Sequence, residues 1–355
     1  MLDKDNRAAT VALTEYAGLR LPEQPRLIPW LLAVELGDNR VQLRSGEAAH
    51  TLTNPLLVKI FRAIRGALDG RHSVSEVVAL AGPDTLPTTV IFLLKLLQGK
   101  GLLQQGPGNN ALNEGERTRW QNQLRFLDHF VPDASNAHVA LTNARIGLAG
   151  SAMLCELVSS SLGSVGISHV TELGDPLTWA TDSGLTNRLD GLDLVIACES
   201  SPAFSRFEAV NRACIASRIR WLCVSVSGKT ARLGPTFVPH QTACHTCMTL
   251  RLRTHQPDLE GYEAYRLQVD ASDAVVDEGS VIPLCSAIAA QAALEAMRLL
   301  TGFSPAVTVG RFYEVSALSP AAASHEVFRV PRCPSCGRQR TLAQAWDREV
   351  TDIAS

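Results

Sequence analysis

Short strand-like groups of apolar residues open the ordered part of the chain, at residues 27–36, 40–43 and 48–52. Gly37-Asp38-Asn39 and Ser45-Gly46 lie between them, and both are good turn formers. This spacing predicts a meander of three strands.

Helical spacing takes over after residue 53. Asn54-Pro55 is an N-cap followed by a first-turn proline, and apolar residues then recur three and four apart as far as Gly70. The run Ser-Val-Ser-Glu at 73–76 matches a capping box that opens a second helix. A third helix begins at Pro87 and runs to residue 98. Three strands followed by three helices predict a small winged-helix-like domain over residues 26–105.

Residues 105–115 are rich in Gly, Asn, Gln and Pro and lack periodicity, which is typical of a linker. Apolar residues return at helical intervals over 117–130. We therefore assign residues 106–143 to a linker and one bridging helix.

Strands and helices alternate in the remainder of the chain. An apolar strand at 145–150 enters a glycine turn and a helix, and further strands follow at 167–173, 193–197 and 220–226. A long apolar helix covers 284–300. Alternation of this kind indicates a parallel sheet with right-handed crossovers. Residues 144–340 are therefore expected to form a Rossmann-like α/β domain.

Charge and hydropathy narrow the function classes. The 33 basic and 35 acidic side chains nearly cancel, so no global field draws the chain to nucleic acid or to an anionic membrane. No run approaches the ~20 apolar residues of a membrane helix, since the richest stretch, residues 90–97, contains Lys95. The N-terminus lacks an apolar signal region. We expect a cytoplasmic protein without nucleic-acid or membrane contacts, and we leave a homodimer open.

Four of the nine cysteines form two C-x-x-C pairs, Cys244/Cys247 and Cys333/Cys336, with 85 residues between the pairs. In a reducing compartment, clustered thiols favour metal ligation over disulfides. Four thiolates can surround a tetrahedral Zn²⁺ at ~2.3 Å and leave no open position, so the expected zinc is structural. The competing interpretation is a thioredoxin-like redox pair, but neither pair convincingly follows a strand at the start of a helix.

Other thiols and imidazoles have no assigned chemistry. His240 and His245 flank the first pair, where we expect exposed loop histidines without a role as a fifth ligand. The other cysteines lie in apolar segments, where free cysteine is usually inert packing: Cys155, Cys198, Cys214, Cys223 and Cys285.

A glycine turn lies where a nucleotide-binding domain would hold phosphate. Such turns need glycines so that backbone N–H groups can approach the phosphates. Here the stretch is Gly-Leu-Ala-Gly-Ser-Ala-Met at 147–153, in which only Gly147 and Gly150 remain and Met153 adds bulk. The turn is a weak and degenerate form of the motif.

The order of these motifs resembles the ThiF-like fold of ubiquitin-activating-type adenylating enzymes. The resemblance covers residues 145–338. It includes the glycine turn, the strand at 193–198, Gly234-Pro235-Thr236-Phe237, the long helix and both cysteine pairs. In that family the paired knuckles hold a structural zinc, which the resemblance implies for this chain as well.

The catalytic parts of that family are matched poorly. The family uses a fuller glycine turn, an aspartate after the second strand, arginines, a lysine and an Mg²⁺-binding aspartate after the fourth strand. This sequence offers Glu172 or Asp175 for the ribose and Glu199 for the metal, and it has no lysine between residues 101 and 228. Arg188 and Arg206 are weak substitutes, because Lys and Arg are not interchangeable at a phosphate site. We expect no ATP chemistry and no catalytic residues in this chain.

The N-terminal domain resembles, in pattern, the PqqD-like RiPP recognition element. In that family the leader of a ribosomally made precursor peptide adds as a strand beside the third strand and lies in a groove made with the third helix. Residues 91 and 94 are expected to belong to the core. The positions implied for leader binding are Ala49, His50, Thr51, Leu52, Phe92, Lys95 and Leu96.

The two resemblances together match the ThiF-like partner proteins found beside YcaO cyclodehydratases. They imply that the chain binds a precursor leader and presents the core Cys, Ser or Thr residues to a YcaO subunit. That subunit would form thiazoline or oxazoline heterocycles, as in thiopeptides.

Two alternatives stay open. The chain could be an autonomous ATP-dependent adenylating enzyme that acts on a peptide carboxylate. It could also be a winged-helix DNA-binding regulator, although the third helix offers only Lys95 and Gln98 to bases and phosphates.

Overall fold

The computed structural model describes residues 19–46, 48–106, 112–180, 184–200, 202, 204–271 and 278–337. The chain divides into two compact units at residue 139. The N-terminal stretch, residues 107–111 of the predicted linker and residues 338–340 of the predicted second domain lie outside the described residues.

The N-terminal unit contains two small antiparallel sheets. One is the predicted meander, in the order β2-β3-β4, and the other pairs the first strand with the fifth. The strands are β1 (Pro25–Leu27), β2 (Leu32–Glu35), β3 (Val41–Ser45), β4 (Ala48–Leu52) and β5 (Leu103–Gln105).

Three helices follow the meander: α1 (Pro55–Ile64), α2 (Val74–Leu80) and α3 (Pro87–Gly99). The Asn54 side chain accepts hydrogen bonds from the backbone N–H groups of residues 56 and 57, and Ser73 and Glu76 form a reciprocal capping box. The helices and the meander share one hydrophobic core, whose fully buried members include Val41, Val58, Phe61, Val77 and Leu93.

The bridging segment differs from the single helix expected. It contains α4 (Glu114–Arg119) and α5 (Gln121–Asp128), followed by α6 (Ala134–Asn143). Between α4 and α5, Trp120 has φ −102° and ψ 12°, which leaves the helical region and divides the segment into two helices.

The second unit is built on one seven-stranded sheet in the order β12-β11-β10-β9-β8-β6-β7. Strands β6, β7, β8 and β9 pair with one another in parallel. Strands β9, β10, β11 and β12 pair with one another antiparallel. The sheet is therefore mixed, and the expectation of a parallel sheet is wrong for its second half. The strands are β6 (Arg145–Gly150), β7 (His169–Glu172), β8 (Leu194–Glu199), β9 (Trp221–Ser227), β10 (Thr230–Phe237), β11 (Arg311–Ser316) and β12 (Ser319–Glu326).

Helices pack against this sheet. Phe207, Val210 and Cys214 pack with Val195 and Trp221 of β8 and β9 in one buried cluster. The long C-terminal helix packs on an earlier helix and across β9 and β10. The helices are α7 (Ala152–Ser164), α8 (Leu185–Leu189), α9 (Phe204–Ser217), α10 (His245–Thr254), α11 (Leu259–Ala271) and α12 (Ile282–Thr301).

By length and composition, the α12 helix is long and apolar enough to cross a membrane. We had expected no apolar run of that length from the sequence. Half of its most apolar window is buried inside the protein. Its Glu295 is fully buried and accepts hydrogen bonds from the backbone and the hydroxyl of Thr308, each at 2.7 Å. These contacts are those of a core helix.

Candidate functional site

The two C-x-x-C pairs meet in one buried cluster. The Sγ atoms of Cys244, Cys247, Cys333 and Cys336 all lie within 4.8 Å of one another, with nearest separations of 3.5–3.8 Å. Four sulfurs at ~2.3 Å from one tetrahedral ion would be roughly 3.8 Å apart. The cluster therefore has the size, donor type and number that a metal ion requires.

Burial raises the pKa of the Cys244 and Cys336 thiols, whereas backbone donors favour a thiolate at Cys247. The N–H of Val330 donates to Cys247 Sγ at 3.3 Å. Burial opposes ionisation of Cys247, but this bond and other hydrogen bonds hold the pKa of its thiol below the usual value. A metal ligand must be deprotonated, so the environment suits this cysteine to ligation.

Two polar side chains of α9 lie beside the two C-x-x-C segments, residues 244–247 and 333–336, which we call the first and second knuckle. Glu208 accepts a hydrogen bond from the Thr246 hydroxyl at 2.8 Å, and that hydroxyl lies 2.7 Å from the hydroxyl of Ser335 in the second knuckle. Asn211 accepts a hydrogen bond from the backbone N–H of His245 at 3.1 Å. These contacts join two turns that are far apart in the sequence, and the spacing of the cysteines gave no sign of them.

His245 is not the exposed loop residue that we expected. Its side chain is buried at the start of α10 and lies 3.2 Å from a carboxylate oxygen of Glu208. Burial opposes ionisation of Glu208, but the hydrogen bonds from His245 and Thr246 hold the pKa of its carboxyl below the usual value. His240 is exposed. The five cysteines outside the cluster are all buried, as expected.

The glycine turn is packed tightly against β8. Gly150 has φ +111°, and a Cβ added there would lie 2.2 Å from the carbonyl oxygen of Cys198. The backbone N–H of Ser151 donates to that same oxygen at 2.7 Å. Gly147 is required for a different reason, because a Cβ there would lie 2.7 Å from the side chains of Leu173 and Leu192. Both glycines are thus needed because neighbouring protein atoms leave no room for a side chain.

An ion-pair group lies at the end of β8. Glu199 is 3% exposed, and burial raises the pKa of its carboxyl to about 7. The guanidinium of Arg206 lies 3.9 Å from Glu199 and 3.2 Å from Asp175. One cation on α9 is therefore shared by two carboxylates, at positions where the sequence suggested nucleotide ligands.

The predicted leader-binding positions lie on β4 and α3. Among the described strands, β4 pairs only with β3, so its outer edge is unpaired. Ala49 and Thr51 are exposed on it and His50 is half-buried, whereas the Leu52 side chain is buried in the core. The side chain of Leu52 is therefore closed to a ligand.

The α3 helix divides into two faces. Its fully buried residues are Val90, Leu93, Leu94 and Leu97, while Phe92, Lys95 and Leu96 are half-buried. Residue 94 is core, as expected, and residue 91 is half-buried.

A model of the ThiF family matches residues 134–337, which is more than half of the chain. The chain belongs to the ThiF family. No curated protein sequence matches it.

Several solved structures share the fold. A heterocyclase in complex with substrate and cofactor is 19% identical, with a TM-score of 0.63 over 90% of this chain and 40% of the heterocyclase. The heterocyclase TruD is 18% identical, with a TM-score of 0.60 over 89% of this chain and 43% of TruD. MccB from E. coli is 14% identical, with a TM-score of 0.62 over 89% of this chain and 98% of MccB. The chain thus spans about two fifths of each heterocyclase and nearly all of MccB.

Proposed function

We propose that this protein binds the leader of a ribosomally made precursor peptide and presents the peptide to a separate YcaO-type cyclodehydratase. In this proposal the partner uses ATP to form thiazoline or oxazoline rings. The present chain supplies substrate capture and carries out no chemistry itself.

The observation that carries the non-catalytic part of the proposal is the ion-pair group at the end of β8. Phosphoryl chemistry depends on cations aimed at the transferred phosphates. Here the Arg206 guanidinium forms ion pairs with Asp175 and Glu199. The backbone N–H of Ser151 donates a hydrogen bond to the carbonyl oxygen of Cys198. The groups that would meet a nucleotide are already partnered within the protein.

The unpaired edge of β4 supports leader capture. A peptide that adds to this edge would gain main-chain hydrogen bonds there, while pockets for its side chains would give selectivity. The half-buried Phe92 and Leu96 supply apolar surface that the core does not use completely. A short edge strand with small side chains also leaves room for an added strand.

The lengths of the similar structures support a separate partner. Each heterocyclase chain is more than twice as long as the part that this protein matches. In our proposal, a second polypeptide supplies what the remainder of the heterocyclase chain contains. A peptide ligand also agrees with the similar structure of MccB in complex with MccA.

We further propose that the four-cysteine cluster holds a structural Zn²⁺. Four sulfur donors suit zinc and leave no open coordination position, so the ion would bind neither water nor substrate. Its role would be to fix residues 333–336 against α9 and α10.

Fluorescence anisotropy with labelled peptides tests leader capture. The full chain would be titrated against synthetic leaders of the short open reading frames that neighbour its gene. We expect one leader to bind saturably and Phe92→Ala to weaken it about tenfold, because the ring contributes apolar contact. Leu32→Ala, at the opposite edge of the same sheet and 61% exposed, is the matched control. Equal effects of both variants, or no binding by any leader, would contradict the proposal.

A second candidate function is autonomous adenylation, which the match to the ThiF family over residues 134–337 favours, because the sequence resembles the adenylating enzymes of that fold. An adenylating enzyme would catalyse exchange between ATP and pyrophosphate when given a peptide and no partner. We expect no exchange above the rate without peptide. Robust exchange by the isolated chain would replace our proposal with this one.

A further inference from the structure

A cavity of about 370 Å³ lies between one face of the sheet and two helices of the second unit. Its floor comes from β9, β10 and β11, and its roof comes from α10 and α11. Alternate residues of a strand point to the same face, and Cys223, Ser225 and Ser227 of β9 line the floor in this way. The volume lies within the range of small-molecule sites, which is roughly 300–1,000 Å³.

One wall of this cavity is aromatic. Phe204 of α9 packs edge-to-face with Tyr262 and Tyr265 of α11, with ring centroids 6.1 and 6.0 Å apart. Tyr265 is 41% exposed although it is a large aromatic residue. Aromatic side chains bind a further ring by offset or edge-to-face contacts, which add to the effect of burial alone. The wall therefore suits a ligand that contains a flat ring.

Apolar and hydroxyl side chains line the remainder of the cavity. Met248 and Leu252 lie one helical turn apart on α10 and extend the apolar roof. Ser225, Thr230 and Thr249 bring hydroxyl groups to the same space. Apolar walls with a few polar groups are typical of sites that hold a small organic group, because the polar groups fix its orientation.

The charged side chains that line the cavity each have a partner within the protein. The Nε of Arg232 lies 2.9 Å from a carboxylate oxygen of Glu314. Glu278 accepts a hydrogen bond from the Ser227 hydroxyl at 3.2 Å. A negatively charged ligand would therefore meet two carboxylates, and the one guanidinium among the described lining residues is already paired. The lining disfavours an anion.

We propose that this cavity binds a flat ring without negative charge, either the aromatic side chain of a peptide residue or a five-membered heterocycle formed in a peptide. The ring would pack against Tyr262 and Tyr265, and the hydroxyl groups would bond to its heteroatoms or to the adjoining peptide groups. That the ring belongs to a precursor peptide rests on the proposed function. That the cavity binds a ring does not, since none of the predicted leader-binding residues lines it.

Ligand-observed NMR titration of the full chain with three small probes tests the cavity. N-acetylphenylalanine amide carries the aromatic side chain, 4-methylthiazole carries the heterocycle, and benzoate carries a ring with a negative charge. We expect saturable binding of at least one neutral probe. Benzoate should bind about tenfold more weakly or less, because burying an unpaired charge is costly.

Variants of α11 locate the binding. Tyr265→Ala should weaken binding of the neutral probe about five- to tenfold, because a ring contact is lost. Tyr265→Phe keeps the ring and should bind as the unchanged protein does. Leu267→Ala is the matched control, because Leu267 is 70% exposed on the same helix and does not line the cavity. Thermal melting of each variant confirms that it is folded.

The relative affinities of the two neutral probes identify the source of the ring. Tighter binding of N-acetylphenylalanine amide indicates an unmodified aromatic residue, and tighter binding of 4-methylthiazole indicates a heterocycle. Absence of saturable binding for both would overturn the proposal. It would also be overturned if benzoate bound as tightly as the neutral probes, or if Tyr265→Ala and Leu267→Ala weakened binding equally. The probes need no leader, so failure of leader capture and failure of this proposal are separate results.

Discussion

Replacement of Cys333 by Ser is the most direct test of the four-cysteine cluster. The change leaves the volume almost unaltered and removes one of four sulfur donors whose mutual distances are all within 4.8 Å. A serine hydroxyl is a poor substitute for a thiolate toward zinc. We expect the zinc content of the purified chain to fall from one ion per molecule to well below one.

The effect on stability follows from the loop that the cluster closes. Cys247 and Cys333 are 86 positions apart (333 − 247), and chain-entropy arguments assign about 4–5 kcal/mol to a cross-link closing a loop of that length. The three remaining cysteines keep part of this stabilisation, so we expect the free energy of unfolding to fall by about 2–4 kcal/mol. For a unit of this size the melting temperature should fall by roughly 5–15 °C.

Metal analysis by mass spectrometry and thermal melting of the full chain measure the two effects together. Cys285→Ser is the matched control, because Cys285 is also fully buried but lies on α12, with the Ser280 hydroxyl 3.5 Å from its sulfur. The control should keep its metal. Unchanged zinc in the Cys333 variant, or equal losses of zinc in both, would refute the four-ligand arrangement.

Two further predictions concern the neighbouring ends of β6 and β8. Gly150→Ala places a Cβ against the carbonyl of Cys198 at a positive φ, so it should destabilise the chain by about 2–4 kcal/mol in urea unfolding. Gly163→Ala, with open space around it, should be neutral or slightly stabilising, and equal unfolding midpoints for the two would refute this reasoning. Burial raises the pKa of Glu199 from 4.5 to about 7, so the native state holds a proton that the unfolded chain releases in that window. Stability should therefore fall as pH rises from 4.5 to 7, by up to about 3 kcal/mol, and Glu199→Gln should flatten this slope in pH-dependent melts.

Local chemistry made the helix starts and the four-cysteine cluster predictable. Asn54-Pro55 and the box at 73–76 are satisfied by bonds within four residues, so their sequence contains nearly all the information needed. The cysteine pairs lie far apart in sequence, but two C-x-x-C pairs are the ligand pattern of a single tetrahedral metal site, and this pattern predicts that they meet. In both cases a few residue types at fixed spacings are enough for the prediction, and the rest of the fold does not need to be known.

Elements that depend on distant neighbours were missed. The β10 strand contains Gly234-Pro235, a pair that weakens a strand prediction, and its pairing register shifts across that point. The β12 strand is fully exposed and made largely of Ala and Ser, so it lacks a hydrophobic pattern. Both are strands because they pair with β11, which no local pattern reveals. The burial of His245 has the same origin, since it depends on Glu208 of another helix.

The ion-pair group at the end of β8 shows why a degenerate motif cannot be judged from its glycines alone. The missing glycines concern the backbone, whereas the occupancy of this crevice is decided by Arg206, which comes from the next helix. A nucleotide that entered here would have to displace that guanidinium from Asp175 and Glu199. Loss of that guanidinium would leave Asp175 and Glu199 without a neighbouring cation. Any residual ATP binding should therefore depend strictly on Mg²⁺, which would have to replace the guanidinium as the partner of these carboxylates.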